Sequence, residues 1–210
     1  MEDQLTDAAY YAGLGLAAFP DNTLLRVDNG IVFEMRAGLN DRNLKGVSRA
    51  KITVNTKIAG MLRNAAAEYG RALQGDPRSS VARLHRGWVR FLLFDDRARA
   101  DFDAVLADAS EDSARYLAHL FLGSVAERER RWNDALQEYN AAHTIGPAYQ
   151  TPYLAMSALE ERLGHAVRAR DLMLQCAQLV QTGVDPWWTY HLDTIDLEAL
   201  SRLRTAARTP

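Results

Sequence analysis

The side chains that most often perform catalysis or bind metals are few in this chain and widely separated. The five histidines are His85, His119, His143, His165 and His191, and the one cysteine is Cys176. No His-Glu-x-x-His motif and no His/Cys cluster with the spacing of a zinc site occurs. We expect the first two histidines to be packing or groove residues rather than metal ligands, and Cys176 to be a buried, inert thiol.

Carboxylates occur in pairs, but their positions do not suggest acid–base chemistry. Such chemistry requires two acids held in different environments within one cleft. We expect the pairs to lie in turns or on polar helix faces; they are Asp95/Asp96, Asp101/Asp103, Glu127/Glu129 and Glu160/Glu161. A phosphate-binding glycine loop is also missing. The sequence therefore predicts no catalytic residue, no metal site, no cofactor and no enzyme activity.

The composition is that of an ordinary globular protein. Of 210 residues, 48% are hydrophobic and 25% charged, and the formal net charge is −2. A single cysteine excludes an intramolecular disulfide and fits a reducing compartment. The N-terminus lacks the basic region of a signal peptide, and no apolar run is long enough to span a membrane. We expect a cytoplasmic protein without a membrane span.

Basic residues are concentrated in the stretch from Asp41 to Arg63. This stretch holds six lysines and arginines and one acid. It would bind an acidic partner or nucleic acid, or it would form the solvated face of a helix. No aromatic residue that could stack on a base is interleaved with it, and the whole chain is slightly acidic. Nucleic acid is therefore not an expected ligand.

A spacing pattern of small and aromatic residues is clearest in the middle of the chain. It consists of Leu122–Gly123, Ala135, Tyr139, Ala142 and Pro147. Small residues at 123 and 135 would let two antiparallel helices approach closely, with Tyr139 and Ala142 facing the next unit. Pro147 would end the second helix, because proline lacks an N–H and restricts the residue before it.

The same spacing recurs on both sides of this copy. Upstream copies have Ala65, Tyr69, Ala72 and Pro77, and then Gly87, Ala98, Phe102 and Val105; a downstream copy has Ala169, Met173 and Cys176 after a break at Gly164. The pattern resembles the tetratricopeptide repeat (TPR), with its Leu-Gly pair, its Ala-x3-aromatic segment and its final proline. The resemblance implies an all-α protein, a right-handed TPR-like α-solenoid of antiparallel helix pairs with N- and C-terminal capping helices.

Three repeats fit the central part of the chain, at 80–113, 114–149 and 150–182. A longer turn over 106–113 would absorb the extra residues between two copies, because this stretch is rich in Asp, Ser and Ala. A half-repeat at 61–77 precedes the three repeats.

The two ends do not follow the repeat pattern. Residues 1–43 form a predicted helix pair, which is either a degenerate repeat or a cap, and 44–79 form a long basic helix that ends in the half-repeat. Residues 183–210 form a predicted aromatic turn and a capping helix. The turn contains Trp187, Trp188 and Tyr190. These rings would cover the exposed face of the last repeat, or they would form a patch that binds a partner.

In the TPR family, the first helices of successive repeats line a concave groove that binds ligands. The resemblance assigns ten residues to this groove: Leu84, His85, Trp88, Phe91, Leu117, Leu120, Phe121, Ser124, Glu127 and Leu154. One TPR subclass holds a terminal carboxylate with Lys and Asn, but the corresponding positions here include Leu120, Ser124 and Leu154, so that clamp is absent. The apolar groove suits an extended hydrophobic peptide or an amphipathic helix. It suits equally a helix of the chain itself, from 1–19 or 194–207.

The resemblance and the absence of catalytic spacing together predict a binding module. The chain would act as an adaptor, scaffold or chaperone, and its partner would be another protein or peptide. The alternative is a regulatory or assembly subunit that associates with itself through the aromatic C-terminal segment or the basic helix. A monomer and a homodimer are both compatible with the sequence.

Overall fold

Ten α-helices follow one another in the residues that the structure describes. The computed structural model of the chain describes residues 2–40, 56–109, 111–180 and 183–192. The helices are α1 (Glu2–Ala18), α2 (Thr23–Asn40), α3 (Thr56–Gly75), α4 (Ser80–Leu92), α5 (Ala98–Asp108), α6 (Asp112–Arg128), α7 (Trp132–Ile145), α8 (Thr151–Arg162), α9 (Ala166–Ala177) and α10 (Pro186–Leu192). These ranges contain no strand, and the predicted all-α class is confirmed.

The helices from α2 to α9 pack as four consecutive pairs. The pairs are α2 with α3, α4 with α5, α6 with α7, and α8 with α9, and each pair also contacts the next one. The first helices α2, α4 and α6 lie beside one another, and a hydrophobic core extends from Val27 to Leu159. A helix pair of this kind buries its apolar faces only by stacking on its neighbours. The predicted TPR-like α-solenoid is confirmed.

Within three of the pairs, an aromatic ring of the second helix lies directly on a glycine of the first helix. The contacts are Tyr69 on Gly30, Phe102 on Gly87 and Tyr139 on Gly123. A Cβ at Gly123 would lie 2.2 Å from Cε1 of Tyr139, so only glycine leaves room for this ring. Tyr139 therefore packs inside its own pair. The prediction that it faces the next unit is wrong, because the ring occupies the space that the missing side chain leaves.

Helix α2 supplies the first helix of the pair to which the half-repeat predicted at 61–77 belongs. The ring of Tyr69 on α3 lies on Gly30 of α2, and its hydroxyl donates a hydrogen bond of 2.8 Å to Oε2 of Glu34. The predicted pair at 1–43 is therefore corrected: α1 does pack against α2, but α2 is also the first helix of a pair with α3. The basic residues before Thr56 lie outside the described residues, so the start of the predicted long helix at 44–79 is not seen.

The turns between the two helices of the last three pairs share one backbone feature. Each contains a residue in the left-handed region, with φ of 59° at Phe94, 59° at Arg130 and 82° at Gly164. This conformation ends a helix and allows its last carbonyl groups to be hydrogen bonded. The sequence marks the position only at Gly164, since the other two residues are not glycine.

The longer turn predicted over 106–113 is not observed. Helix α5 continues to Asp108 and α6 begins at Asp112. The extra residues lengthen α6, which has 17 residues against 13 in α4. The last residues of the predicted turn belong to the first turn of α6, where Asp112 also suits the positive end of the helix dipole.

Candidate functional site

The ten predicted groove residues lie on first helices of three successive pairs. Helix α4 carries Leu84, His85, Trp88 and Phe91; α6 carries Leu117, Leu120, Phe121, Ser124 and Glu127; α8 carries Leu154. Six of them are buried, namely Leu84, His85, Trp88, Leu117, Leu120 and Phe121. Phe91, Ser124 and Glu127 are half-buried, and Leu154 is exposed. Most of the predicted groove is therefore covered by other parts of the chain.

Aromatic rings form the floor of this groove. The ring of Trp88 is stacked on Phe91 with centroids 5.4 Å apart, and it lies 5.2 Å from the ring of Phe121. Phe121 is stacked in turn on Phe102 of α5, at 5.0 Å. Aromatic pairs at such distances stabilise a structure by about 0.5–1.5 kcal/mol beyond the burial of their area. The rings of two adjacent helix pairs thus form one continuous apolar surface.

The short helix α10 lies on this surface, so the segment predicted as an aromatic turn is helical. Trp187 lies 5.4 Å from the ring of Phe121, and Tyr190 lies 5.1 Å from the same ring. Tyr190 is also stacked on His85 at 4.6 Å. The chain itself therefore occupies part of the groove.

The occupying segment differs from both candidates that the sequence suggested. Helix α1 packs against α2, and residues 194–207 lie outside the described residues. Trp187 and Tyr190 contact α4 and α6 in the groove instead of covering the last pair, while Trp188 is exposed. The three aromatic residues consequently do not form a single exposed patch, because a helix turns neighbouring side chains in different directions.

A buried carboxylate at Asp185 holds the start of α10 in place. The residue is only 4% exposed. Its Oδ1 accepts hydrogen bonds from the hydroxyl of Tyr116, at 2.8 Å, and from the backbone N–H of Trp187, at 2.9 Å. Its Oδ2 accepts one from the backbone N–H of Thr151, at 3.1 Å. Thr151 begins α8, so the carboxylate lies at the positive end of that helix.

This carboxylate site changes the ionisation of its phenol partner. Burial, and then the negative charge of Asp185, raise the pKa of Tyr116 well above its ordinary value. Tyr116 consequently stays a neutral hydrogen-bond donor. Sequence reasoning missed this site, although a signal was present: Asp185 precedes Pro186, and an N-cap residue followed by proline marks the start of a helix.

His85 links the groove to the first helix pair. Its Nδ1 lies 3.0 Å from Oε2 of Glu34, the same oxygen that accepts the hydroxyl of Tyr69. Its ring lies between the rings of Tyr69, at 5.4 Å, and Tyr190, at 4.6 Å. Glu34 thus fixes the orientation of the ring on which Tyr190 stacks.

His119 has different surroundings from His85. Its Nδ1 lies 2.8 Å from Oε2 of Glu138 on α7, within its own helix pair. Among the described residues, no group of three or more histidine, cysteine, aspartate or glutamate side chains could hold a metal ion. Burial raises the pKa of the Cys176 thiol, which disfavours the reactive thiolate form.

The charged residues at the rim of the predicted groove include one ion pair and one cation–π contact. Glu127 accepts the hydroxyl of Tyr139 at 2.6 Å and pairs with Arg162 of α8. The guanidinium carbon of Arg128 lies 3.2 Å from the centroid of the Phe91 ring, and burial lowers the pKa of Arg128 to about 10. Both rim side chains of α6 are therefore held by other residues of the chain.

One residue of the predicted groove, Leu154 of α8, is 36% exposed. None of the described helices combines the length and the apolar character that crossing a lipid bilayer requires.

Comparison with known proteins shows the class of fold. No family model and no curated protein matches the chain. Two crystal structures of MamA superpose with TM-scores of 0.62 and 0.61; each is 15% identical and covers 84% of this chain, and the chain covers 89% and 83% of theirs. A monomeric mutant of IFIT1 with Gppp-AAAA superposes with a TM-score of 0.60 at 16% identity, over 84% of this chain and 44% of that one.

Both similar proteins are TPR-type helical repeat proteins. At this level of identity the likeness establishes the fold alone. The chain thus has the architecture of a TPR-like helical solenoid.

Proposed function

We propose that this chain is a non-catalytic, cytoplasmic interaction module that binds an apolar peptide or an amphipathic helix of another protein in its concave groove. The observation that carries the proposal is the docking of α10, an aromatic helix of the chain itself, on the ring surface of Trp88 and Phe121. A surface that accepts one short aromatic helix has the shape and chemistry to accept another.

The chemical character of the groove residues favours binding over catalysis. Its floor consists of apolar rings, and its carboxylates are held by hydrogen bonds or ion pairs, as for Glu34, Glu127 and Asp185. Aromatic residues in a concave, desolvated setting are typical of the residues that dominate binding energy at interfaces. We propose that Leu154, a predicted groove residue that is 36% exposed, lies on the open side of the groove.

The self-association alternative has less support. It required Trp187, Trp188 and Tyr190 to be available to a second copy, but two of these rings contact the groove of their own chain. The other route, through the basic stretch from Asp41 to Arg63, involves residues that lie mostly outside the described ranges. Light scattering over a range of concentrations will measure whether the mass of the particle changes.

The experiment uses a partner that co-purifies with the full-length chain from its native cells. That partner, purified, is titrated into the wild-type chain and into the variant Leu154→Glu, which places a charge on the open part of the groove. We expect its affinity to fall at least about tenfold, because burying an unpaired carboxylate costs more than about 1.4 kcal/mol.

The matched control is Val167→Glu. Val167 is an aliphatic residue of α9, the second helix of its pair, and it is 76% exposed. The same charge there should leave the affinity unchanged. Equal affinities for the wild-type chain and both variants would show that the groove is not the binding surface, and the absence of any stoichiometric partner would remove the proposal.

A further inference from the structure

The way in which α10 is held in the groove carries information about the partner. The segment consists of an acidic residue, Asp185, then Pro186 at the start of the helix, and then aromatic rings two and five residues after the acid. The acid and the two rings each meet a defined group of the groove. Two chemically distinct subsites, a donor pair for a carboxylate and a ring surface, are therefore occupied at once.

The carboxylate subsite is built by two elements that belong to different helix pairs. The hydroxyl of Tyr116, which is fully buried on α6, and the backbone N–H of Thr151 at the start of α8 both point at the same carboxylate. Both groups are donors, and the N–H lies at the positive end of a helix of 12 residues. A neutral side chain of the same shape, such as asparagine, would present an N–H₂ group to one of these two donors, which needs an acceptor.

The ring subsite lies one helical turn further along the groove. Trp187 and Tyr190 are separated by three positions, so they project from the same side of α10. Both contact Phe121, and Tyr190 is stacked on His85. Trp188 lies between them in sequence and is exposed, so the groove selects the rings at the second and fifth positions after the acid.

We infer that α10 is an internal ligand, and that the groove binds a partner helix with the same chemistry: an aspartate before the first turn and aromatic residues two and five positions after it. This inference rests on the proposed function and names the ligand of that same site. The partner takes the place of residues 185–190, so the free chain is closed and the bound chain is open.

Two features of α10 make its displacement feasible. It is a helix of seven residues, and the rings of Trp187 and Tyr190 are half-buried rather than enclosed. A short linker gives a docked segment an effective concentration on the order of millimolar. If the segment itself binds the open groove with an intrinsic Kd of ~100 μM, a partner would bind the closed chain about tenfold more weakly than the open chain.

The test uses a synthetic peptide with the sequence of residues 183–192, acetylated and amidated so that Asp185 supplies its only carboxylate. Its binding is measured by fluorescence anisotropy on two full-length chains, the wild type and the variant Trp187→Ala/Tyr190→Ala, in which α10 has lost its anchoring rings. We expect the peptide to bind the variant at least tenfold more tightly than the wild type.

A matched peptide with Asp185→Asn isolates the carboxylate subsite. We expect it to bind at least about tenfold more weakly than the parent peptide, because hydrogen bonds to a charged acceptor are stronger than those between neutral groups. Equal binding of the two peptides would overturn the part of the inference that assigns an acidic residue to the partner.

Other outcomes also decide the question. The full-length variant Asp185→Asn leaves both rings in place and weakens only the carboxylate contact, so it opens the groove without removing aromatic groups; circular dichroism checks that both variants keep their helices.

If the peptide binds none of these folded chains, the inference fails. If in addition the wild type is a dimer that Trp187→Ala/Tyr190→Ala converts into a monomer, the groove holds the segment of a second copy.

Failure of the inference is distinguishable from failure of the proposed function. A native partner whose affinity is lowered by Leu154→Glu, together with no binding of the peptide to an opened chain, would retain the groove as a binding surface and remove this ligand class. The absence of any partner that is sensitive to Leu154→Glu would remove the proposed function.

Discussion

The contact between Gly123 and Tyr139 yields the sharpest prediction about stability. A Cβ at position 123 would lie 2.2 Å from Cε1 and 2.6 Å from Cδ1 of the tyrosine ring. Carbon atoms pack at about 3.5–4.0 Å, so in the variant Gly123→Ala the ring has to retreat by more than about 1 Å. The ring cannot retreat freely, because its hydroxyl donates a hydrogen bond of 2.6 Å to Oε1 of Glu127.

The sign of the effect depends on two opposing contributions. Alanine in place of glycine within a helix stabilises by about 1 kcal/mol. Overpacking a core costs about 1–3 kcal/mol, and loss of a hydrogen bond to a charged acceptor costs about 1.5–3 kcal/mol. We therefore expect Gly123→Ala to lower the free energy of unfolding by about 1.5–5 kcal/mol, measured by urea denaturation followed by circular dichroism.

Gly60 of α3 supplies the control, because a Cβ added there would have no neighbour within 4 Å. Gly60→Ala should raise the free energy of unfolding by about 0.4–1 kcal/mol. In a Tyr139→Ala background the cost of Gly123→Ala should vanish, giving a coupling energy above about 1 kcal/mol. A Gly123→Ala variant as stable as the wild type would refute the steric reasoning.

Two further predictions concern buried charge and alkaline pH. Asp101→Ala should lower the free energy of unfolding by about 3–5 kcal/mol, since its carboxylate is 4% exposed and pairs with two arginines of α4; Asp103→Ala, which removes a 52% exposed carboxylate, should cost under about 1 kcal/mol. Burial, and then the charge of Glu127, hold the pKa of Tyr139 well above its usual value, so the folded state keeps this proton while the unfolded chain loses it above a pH of about 10. Stability should therefore decline as the pH rises above 10. In denaturation curves at pH 10–11, Tyr139→Phe should make this decline shallower by up to about 1.4 kcal/mol per pH unit. An unchanged slope would contradict the assignment of the decline to the Tyr139 hydroxyl.

The repeat architecture was predictable because its signal is local. In these pairs a ring of one helix lies on a glycine of the other, and the spacing from Gly87 to Phe102 is nearly that from Gly123 to Tyr139. The first pair could not be predicted in this way, because a long connection separates Gly30 from Tyr69. The left-handed conformation of Phe94 and Arg130 could not be predicted either, since it is imposed by the packing of the two helices that each residue joins.

The groove residues were assigned from the sequence, but whether the groove is occupied was not. The family frame places Trp88 and Phe121 on first helices, and a frame of this kind fixes which side chains face the concave side. It cannot say whether that side is open. Occupancy depends on the free energy of docking a distant segment, which combines stacking on His85 and an edge-to-face contact with Phe121 with the burial of one carboxylate.

The sequence by itself determined the helices, their pairing in the middle of the chain and the apolar character of the groove, because these follow from side-chain size and spacing over a few turns. Only the tertiary structure decided that α2 completes the first pair, that Tyr139 turns into its own unit, and that Asp185 joins Tyr116 and Thr151 across separate pairs. The physical reason is common to all three. Each depends on contacts between segments that are distant in sequence, and the energy of such contacts is set by how the whole solenoid packs.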